Sequence, residues 1–305
     1  MRVLVTGGAG FIGSRAAKHL LARGHEVAIV DDLSSGKREN IPEDARFYET
    51  DIRTGCAEAF EDFRPEMLSH QAAQMDVRRS VREPAFDADV NVVGTVRLLE
   101  KCTQYDVKKV IFASTGGAIY GEQGTFPTTE DHPLYPVSPY GVSKLAGERY
   151  LHYYGVQYEL PYVALRYANV YGPHQDPHGE AGVVAIFSGN LAKKHVSRIN
   201  GAGTQTRDYV YIEDVARANV LAVEHDVPPG PYNIGTGLET SVNSLYGLLR
   251  EISGLDLPPE HGPAMPGEQL RSSLDPMLAA QAMGWRPEVE LPLGLKETLR
   301  FFGAL

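Results

Sequence analysis

The sequence predicts an α/β fold: a doubly wound parallel sheet, followed by a smaller α/β region toward the C-terminus. Three observations lead to this fold class. Short apolar runs alternate with helical patterns through the first half of the chain, and a glycine-rich turn follows the first apolar run. The alternation ends near residue 171, where Gly, Pro and His crowd into "YGPHQDPHGEAG".

The alternation places strands and helices in a regular order. The predicted strands are "RVLVT", "EVAIVD", "RFYET", "EMLSH", "KKVIFAS" and "PYVALRY". The predicted helices cover 11–22, 55–63, 85–103 and 140–154. Parallel strands need crossover connections, so we expect these helices to cover both faces of the sheet.

The second half of the chain predicts shorter and less regular elements. We expect strands at "RDYVYI" and "PYNIG", a proline-rich passage at 257–266, and helices at 183–193, 213–224, 242–252, 276–283 and 293–302. We therefore predict a dinucleotide-binding domain over 1–168, to which segments near 208–234 return. A smaller substrate domain would combine 169–207 and 235–305.

Composition excludes several functional classes. The chain has 305 residues and a net charge of -10, which argues against sequence-independent binding of nucleic acid or of an anionic membrane. Cys56 and Cys102 have no zinc spacing and form no disulfide framework, which suits a reducing compartment. Because neither an export signal nor a long apolar span is visible, we expect a cytoplasmic protein.

The stretch "VTGGAGFIG" predicts a phosphate-binding turn. Gly8, Gly10 and Gly13 fit the G-x-G-x-x-G spacing between a strand and a helix, with Gly7 just before them. Such a turn lets the backbone approach a pyrophosphate at a helix N-terminus. The alternative is a glycine turn with no ligand.

An acidic residue at the end of the second strand predicts the cofactor. Asp31 stands eighteen residues after Gly13, where a carboxylate accepts hydrogen bonds from ribose hydroxyls and repels a 2′-phosphate. We therefore predict NAD rather than NADP, although Lys37 and Arg38 lie nearby. At later strand ends, Asp51 could reach the adenine amino group, and Ala72 and Ala73 could leave room for a dinucleotide; ordinary packing is the alternative.

A tyrosine and a lysine lie one helical turn apart in "SPYGVSK". If 140–154 is helical, Tyr140 and Lys144 share a face, and the ammonium is expected to lower the pKa of the phenol. A tyrosine in this state can act as an acid or base. The alternative is a helix start after Pro139 with a solvated lysine.

Four motifs in this order, "GGAGFIG", "STGGAIYG", "YGVSK" and "LRYANVYGP", resemble the extended short-chain dehydrogenase/reductase family, whose sheet is of the Rossmann type. Within that family, "RDYVYIEDVA" and "YNIGTG" are similar to the nucleotide-sugar 4-epimerases of the UDP-glucose 4-epimerase type. The resemblance covers nearly the whole chain.

The resemblance implies a catalytic triad of Thr115, Tyr140 and Lys144, with Ser114 as the alternative hydroxyl. It implies cofactor contacts at Gly7, Gly10, Phe11, Ile12, Gly13, Asp31, Asp32, Asp51, Ile52, Gln71, Ala72, Ala73, Asn91, Tyr140, Lys144 and Tyr167. It implies substrate contacts at Thr115, Asn169, Val183, Arg207 and Ser272.

The implied reaction is NAD-dependent 4-epimerisation of a nucleotide sugar through a 4-keto intermediate. UDP-glucose and UDP-galactose are the expected substrates, the N-acetylated forms are a further option, and a homodimer is the expected assembly. Gly116 and Gly117 stand where related dehydratases carry Asp-Glu, which argues against 4,6-dehydration. An epimerase of another sugar, a decarboxylase, a reductase or a non-catalytic NAD-binding protein are the alternatives.

The chain departs from the family pattern at Met265, where the epimerases carry a phosphate-binding arginine. Arg271 or Arg198, reaching the phosphate from another direction, is the alternative. Seven positions later, Ser272 replaces a bulky tyrosine and predicts room for an N-acetyl group. His174 and His178 flank Pro177 in a loop and lack a third ligand, so we predict no metal site.

Overall fold

The computed structural model describes residues 1–177, 182–265 and 269–305. Its strands are β1 Arg2–Thr6, β2 Glu26–Asp31, β3 Arg46–Glu49, β4 Met67–His70, β5 Lys109–Thr115, β6 Tyr162–Tyr167, β7 Asn169–Tyr171, β8 Arg198–Asn200, β9 Thr206–Arg207, β10 Tyr209–Tyr211, β11 Gly230–Ile234, β12 Thr240–Ser241 and β13 Glu260–Gly262. Its helices are α1 Phe11–Ala22, α2 Ala57–Phe63, α3 Val77–Arg82, α4 Pro84–Ala88, α5 Gly94–Gln104, α6 Gly116–Ile119, α7 Pro139–Tyr158, α8 Val183–Ala192, α9 Ile212–Glu224, α10 Val242–Ser253, α11 Met277–Met283 and α12 Leu291–Phe302. None of these helices combines the length and the apolar character needed to cross a bilayer.

A seven-stranded parallel sheet forms the centre, in the order β11-β6-β5-β4-β1-β2-β3. Successive side chains of a strand face opposite sides, so Val3 and Val5 enter one core and Leu4 enters another. Helices α1 and α9 pack in the first core, and α2, α5 and α7 pack in the second. The doubly wound α/β fold is therefore confirmed.

The order of the strands creates a crevice at one edge of the sheet. Strand β1 lies between β2 and β4, so the chain leaves it toward one side and later returns on the other. In open parallel sheets, ligands bind beyond the carboxyl ends of the strands at such a reversal. The turn after β1 and the segment after β4 both lie there.

A third core lies outside the main sheet. Helices α8, α10 and α12 enclose it together with the aromatic side chains of Tyr171, Tyr209 and Tyr211. Three short strand pairs, β7 with β10, β9 with β12, and β8 with β13, border this region. Helix α9 and strand β11 pack with the main sheet.

The helix expected over 85–103 is confirmed, with a local change of geometry: residues Asp89–Val93 form a π turn that joins α4 to α5, and the backbone stays helical throughout. The short helix α3 before it was not predicted. Asp76 caps α3 by accepting a hydrogen bond from the Arg79 N–H. Glu83 leaves helical geometry directly before Pro84, as steric contact with a following proline ring favours.

The strand expected around 207–212 is found in two shorter pieces, β9 and β10. Asp208 interrupts it, because its buried carboxylate turns inward and accepts hydrogen bonds from the backbone N–H groups of Thr236, Gly237 and Leu274. Ile212 already belongs to α9. The proline-rich passage contains β13, which the sequence did not predict.

Candidate active site

The turn after β1 forms a cradle that only glycine permits. Gly7 has φ 69°, and a Cβ there would lie 2.6 Å from the Ala72 nitrogen. A Cβ on Gly13 would lie 2.1 Å from the Gly7 oxygen. Gly10 is the N-cap of α1 and offers no side-chain cap, so the first N–H groups of the helix, including those of Phe11 and Ile12, face outward. This cradle fits a pyrophosphate.

Asp31 lies at the end of β2 and supports the cradle. One carboxylate oxygen accepts a hydrogen bond from Ala9 N–H at 3.0 Å, and the other from Leu33 N–H at 2.8 Å. Burial raises the pKa of Asp31, although the two backbone donors act against this rise. Each oxygen keeps a free lone pair, which fits a ribose diol. Asp32 is exposed and bonds Ser34.

Asp51 is held by a guanidinium. Both of its oxygens accept hydrogen bonds from Arg53, and Arg53 also reaches Asp89 at 3.0 Å. These bonds from Arg53 lower the pKa of Asp51. Ile52 is buried beside them in the second core. The carboxylate that was predicted to meet adenine is therefore fixed and ionised.

The segment after β4 runs beside the cradle. Ala72 donates its N–H to Thr6 Oγ1 at 3.3 Å, and the partly buried Ala73 follows it. Gln71 Nε2 donates to Asn219 Oδ1 at 2.9 Å. The buried Tyr167 hydroxyl accepts a hydrogen bond from Asn219 Nδ2 at 2.9 Å and donates its proton to Gln71 Oε1 at 3.3 Å. Tyr167 thus fixes the strand ends through α9.

Asn91 lies in the π turn and is buried. Its Oδ1 accepts from the Gln74 N–H at 2.9 Å, and its Nδ2 donates to the Gln74 oxygen and to Asp87 Oδ1. Both ends of the amide are thus engaged by the protein. Asn91 supports the segment after β4 rather than presenting a free donor.

Tyr140 and Lys144 lie on the first turns of α7, where Ser138 caps the helix and Pro139 begins it. The Lys144 Nζ lies 5.9 Å from the centre of the Tyr140 ring and donates to the Ala113 oxygen at 2.9 Å. Ala113 is near the end of β5, two residues before Thr115. The structure therefore places Lys144 of α7 against the end of β5, the strand that Thr115 terminates.

Burial governs the ionisation of this pair. It lowers the pKa of Lys144 to about 8, against the opposing charge of Asp87. It raises the pKa of Tyr140, and Asp87 raises it further. The expectation that Lys144 by itself lowers the pKa of Tyr140 is therefore wrong. The residues of the protein favour the neutral phenol.

The two candidate hydroxyls differ in their surroundings. Ser114 is buried and donates its proton to Glu148 at 2.6 Å, and Glu148 in turn pairs with Arg166. Thr115 is only partly buried. A Cβ on Gly117 would lie 3.9 Å from Thr115 Oγ1 and 4.0 Å from Asn169 Oδ1, so these two polar atoms flank one open space.

The remaining predicted substrate residues surround that edge. Asn169 begins β7, Val183 begins α8, and Arg207 ends β9 with its guanidinium bonded to the Thr206 oxygen. Ser272 is buried, and its Oγ accepts from the Gln123 amide at 3.3 Å.

Met265 stands where the family carries a phosphate-binding arginine, and its side chain is exposed. Arg271, one candidate to replace that arginine, pairs with Glu239. The Arg198 guanidinium packs against Gly262. His174 stacks on Phe301, and His178 lies outside the described residues.

Sequence reasoning missed the buried polar residues that support this site. Asp87, Glu148, Arg166 and Asp208 are each almost fully buried and hydrogen bonded. One signal was available: Glu148 lies four residues after Lys144, on the same face of α7 as Tyr140.

Residues 3–235 match the family described as NAD dependent epimerase/dehydratase. The chain belongs to this family. A UDP-glucose 4-epimerase of Mycolicibacterium smegmatis is 46% identical to it over 308 residues, which cover 99% of this chain and 98% of that protein. NAD is the cofactor of the family, and the glycine cradle with Asp31 fits it.

Solved structures agree with this membership. The crystal structure of a Thermotoga maritima UDP-glucose 4-epimerase with UDP-glucose has 50% identity and a TM-score of 0.96, covering 99% of this chain and 98% of that one. A Thermus thermophilus UDP-glucose 4-epimerase in complex with NAD has 48% identity and a TM-score of 0.93, covering 99% of both chains.

Proposed function

We propose that this protein catalyses the NAD-dependent 4-epimerisation of a nucleotide sugar, with UDP-glucose and UDP-galactose as substrates. The observation that carries the proposal is the pairing of Tyr140 with Lys144 on α7, with the Lys144 ammonium held by the Ala113 oxygen near the end of the strand that Thr115 terminates. The names of the similar enzymes, which match along nearly the whole chain, support the same reaction.

In the proposed reaction, Tyr140 takes the proton of the sugar 4-hydroxyl, and Thr115 steadies that oxygen by a hydrogen bond. Lys144, held by the Ala113 oxygen, presents its remaining donors to a ribose. NAD supplies the acceptor, and later the donor, of the hydride at C4. The 4-keto sugar turns over within the site, and Tyr140 returns the proton.

Thr115 rather than Ser114 carries the hydroxyl role in this proposal. Ser114 is committed to Glu148, whereas Thr115 Oγ1 borders the open space above Gly117. Because the phenol of Tyr140 is neutral in the protein alone, positive charge arriving with the cofactor would favour the phenolate.

We assign nucleotide-sugar binding to Asn169, Val183, Arg207 and the neighbourhood of Ser272. Asn169 and Arg207 are linked through Asp208, whose backbone oxygen accepts the Asn169 N–H at 2.9 Å. A planar guanidinium suits a diphosphate. Arg271 is already paired with Glu239, so it is a poor replacement for the arginine missing at Met265.

Geometry at Gly116 disfavours dehydration. A Cβ there would lie 2.3 Å from Leu274 Cδ1, so an acidic side chain has no room unless Leu274 moves. Gly117 has room, but it carries no acid or base. The pair of carboxyl groups that the related dehydratases place after the threonine cannot be supplied from these positions.

We further propose a cytoplasmic homodimer in which 1–168 binds NAD and 169–207 with 235–305 bind the sugar nucleotide. Both cysteines are free and buried, which suits a reducing compartment. Val142, Tyr153 and Val156 form an exposed apolar face on α7. Such faces commonly mark protein interfaces.

The test is to incubate the purified protein with UDP, TDP and GDP sugars and to resolve the products. We expect interconversion of UDP-glucose and UDP-galactose. We also expect Tyr140→Phe to fold and retain NAD while turnover falls at least ~100-fold, because a general acid-base group is lost. Near-wild-type turnover of this variant would remove the triad assignment.

A further inference from the structure

Asp87 is a fully buried carboxylate in α4. Its Oδ1 accepts hydrogen bonds from Gln74 Nε2 at 2.9 Å and from Asn91 Nδ2 at 3.1 Å. Its Oδ2 accepts the proton of Ser143 at 2.6 Å. These donors are neutral, so they satisfy the oxygens without cancelling the charge. Burying such a group is costly and calls for a reason.

The three donors come from three different segments of the proposed site. Gln74 follows Ala72 and Ala73 after β4, Asn91 lies in the π turn, and Ser143 directly precedes Lys144 on α7. One carboxylate therefore fixes the proposed cofactor segment and the catalytic helix relative to each other.

The network continues to the glycine cradle. Thr95 donates its proton to the Asn91 oxygen at 2.7 Å, so its oxygen accepts from His70 Nε2 at 2.9 Å. Thr6, next to Gly7, then donates to His70 Nδ1 at 2.7 Å. Burial lowers the pKa of His70 to about 3, with a smaller effect of Lys144, which keeps this ring neutral. The chain of bonds thus has one consistent direction.

The charge of Asp87 also acts on the triad. It raises the pKa values of both Lys144 and Tyr140, in each case after the effect of burial. Helices α3 and α7 and the π turn pack against α4. The charged or titratable side chains on these elements are Arg78, Arg79, Arg82, Glu83, Asp89, Tyr140, Lys144, Glu148, Arg149, Tyr150, His152, Tyr153, Tyr154 and Tyr158.

We propose that Asp87 is a positioning residue of this active site: its hydrogen bonds hold α7 in place, and its buried charge balances the ammonium of Lys144. The proposal rests on the triad assigned above. It explains why a fully buried carboxylate lies between the segment after β4, the π turn and α7.

Substitutions can separate the two roles of Asp87. Asp87→Asn keeps the shape, keeps an oxygen for Gln74 and Asn91, and offers an amide N–H to the Ser143 oxygen, but it removes the charge. Asp87→Ala removes both the bonds and the charge. Ser143→Ala removes a single bond. Asp44→Asn, which changes an exposed carboxylate before β3, is the matched control.

The first measurement is the ionisation of tyrosines by ultraviolet difference titration, with Tyr140→Phe as the blank. Loss of a nearby negative charge favours the phenolate, so Tyr140 should titrate at lower pH in Asp87→Asn than in the wild type. Asp44→Asn should not shift the Tyr140 titration. An unchanged Tyr140 titration in Asp87→Asn would overturn the charge role.

The second measurement is kcat for UDP-glucose as a function of pH. We expect the rising limb to move to lower pH in Asp87→Asn, and kcat to fall ~100-fold in Asp87→Ala because the triad is displaced. In Ser143→Ala, kcat should fall less than in Asp87→Ala, and its pH profile should match that of the wild type. Wild-type kcat in both Asp87→Ala and Ser143→Ala would overturn the positioning role.

The same series separates this proposal from the proposed function. If the wild type is active and Tyr140→Phe is not, the triad assignment is supported. The Asp87 variants then test whether Asp87 positions the triad. An active Tyr140→Phe would instead remove the triad, and the positioning role of Asp87 with it. If Asp87→Ala fails to fold, Asp87→Asn still tests the charge role of Asp87, and Ser143→Ala still tests its positioning role.

Discussion

Ser272 is a buried serine that holds its neighbours through Gln123. Its Oγ accepts from Gln123, and the Gln123 side-chain oxygen accepts the Ser273 N–H at 3.1 Å. A tyrosine at this position would have to displace Gln123 from its place. Space at residue 272 is therefore limited by Gln123 as well as by the serine.

We predict that Ser272→Tyr selectively lowers kcat/KM for UDP-GlcNAc relative to UDP-glucose. The larger side chain fills room that the acetamido group needs, and discrimination by a clash of this kind is worth ~10-fold or more. Steady-state kinetics with both sugars measures the effect. Ser273→Ala, which removes the adjacent hydroxyl without filling space, should leave the ratio unchanged.

Equal effects on both sugars, or no wild-type activity on UDP-GlcNAc, would contradict this role for Ser272. The first result would mean that the tyrosine disturbs Gln123 without reaching the sugar.

Sequence spacing was enough to find the residues whose role depends on local structure. Tyr140 and Lys144 share a helix face, and Gly7 and Gly13 belong to one turn. Asp87 was out of reach, because its partners come together only when α4, the π turn and α7 pack. The raised pKa of Tyr140 was missed for the same reason, since burial is a property of the packed chain.

Helix α7 is joined to the sheet by a buried ion pair. Glu148 binds Arg166 of β6 at 2.7 Å and 2.9 Å, and it also accepts the proton of Ser114 on β5. Arg166 reaches the Tyr120 hydroxyl at 2.9 Å. Since Glu148 follows Lys144 by one turn, this pair fixes the catalytic face of α7 against the strand ends.

We predict that Glu148→Ala lowers the free energy of unfolding by about 3–5 kcal/mol, because it leaves the Arg166 charge buried and unpaired. Glu83→Ala, which removes an exposed partner of Arg79, should cost at most ~0.5 kcal/mol. Urea denaturation of the two variants measures both values. Similar costs would show that the Glu148 pair is not held in the interior.

Element types could be read from the sequence far better than element ends. The first six strands and most helices follow from apolar periodicity. The helix over 85–103 was found in this way, but α3 and the π turn were not. The chain geometry there responds to Pro84 and to buried polar side chains, which apolar periodicity does not report. Asp208 likewise interrupts a strand, because its carboxylate accepts hydrogen bonds from three backbone N–H groups.

The assembly can be predicted from the exposed face of α7. Val142, Tyr153 and Val156 are spaced to share one side of the helix, and Val156 is 71% exposed. Val142 and Tyr153 are 53% and 50% exposed. Burial against a second copy would remove apolar surface from water on both partners at once.

We predict a dimer by light scattering, with about twice the chain mass of 33.4 kDa. Val156→Glu should shift the protein toward the monomer, because it would bury a charge in the contact. Leu238→Glu, at an equally exposed apolar position before β12, should leave the dimer intact. A wild-type monomer would refute this assembly.

The position of β11 has a consequence during synthesis on the ribosome. Strand β6 is complete at residue 167, yet its outer neighbour β11 starts only at residue 230. At ~5–20 residues per second, the growing chain carries an unpaired edge at β6 for roughly 3–12 s. Open edges invite pairing with other chains. The nascent protein is therefore most in need of chaperone protection in this interval, before its last parallel strand emerges.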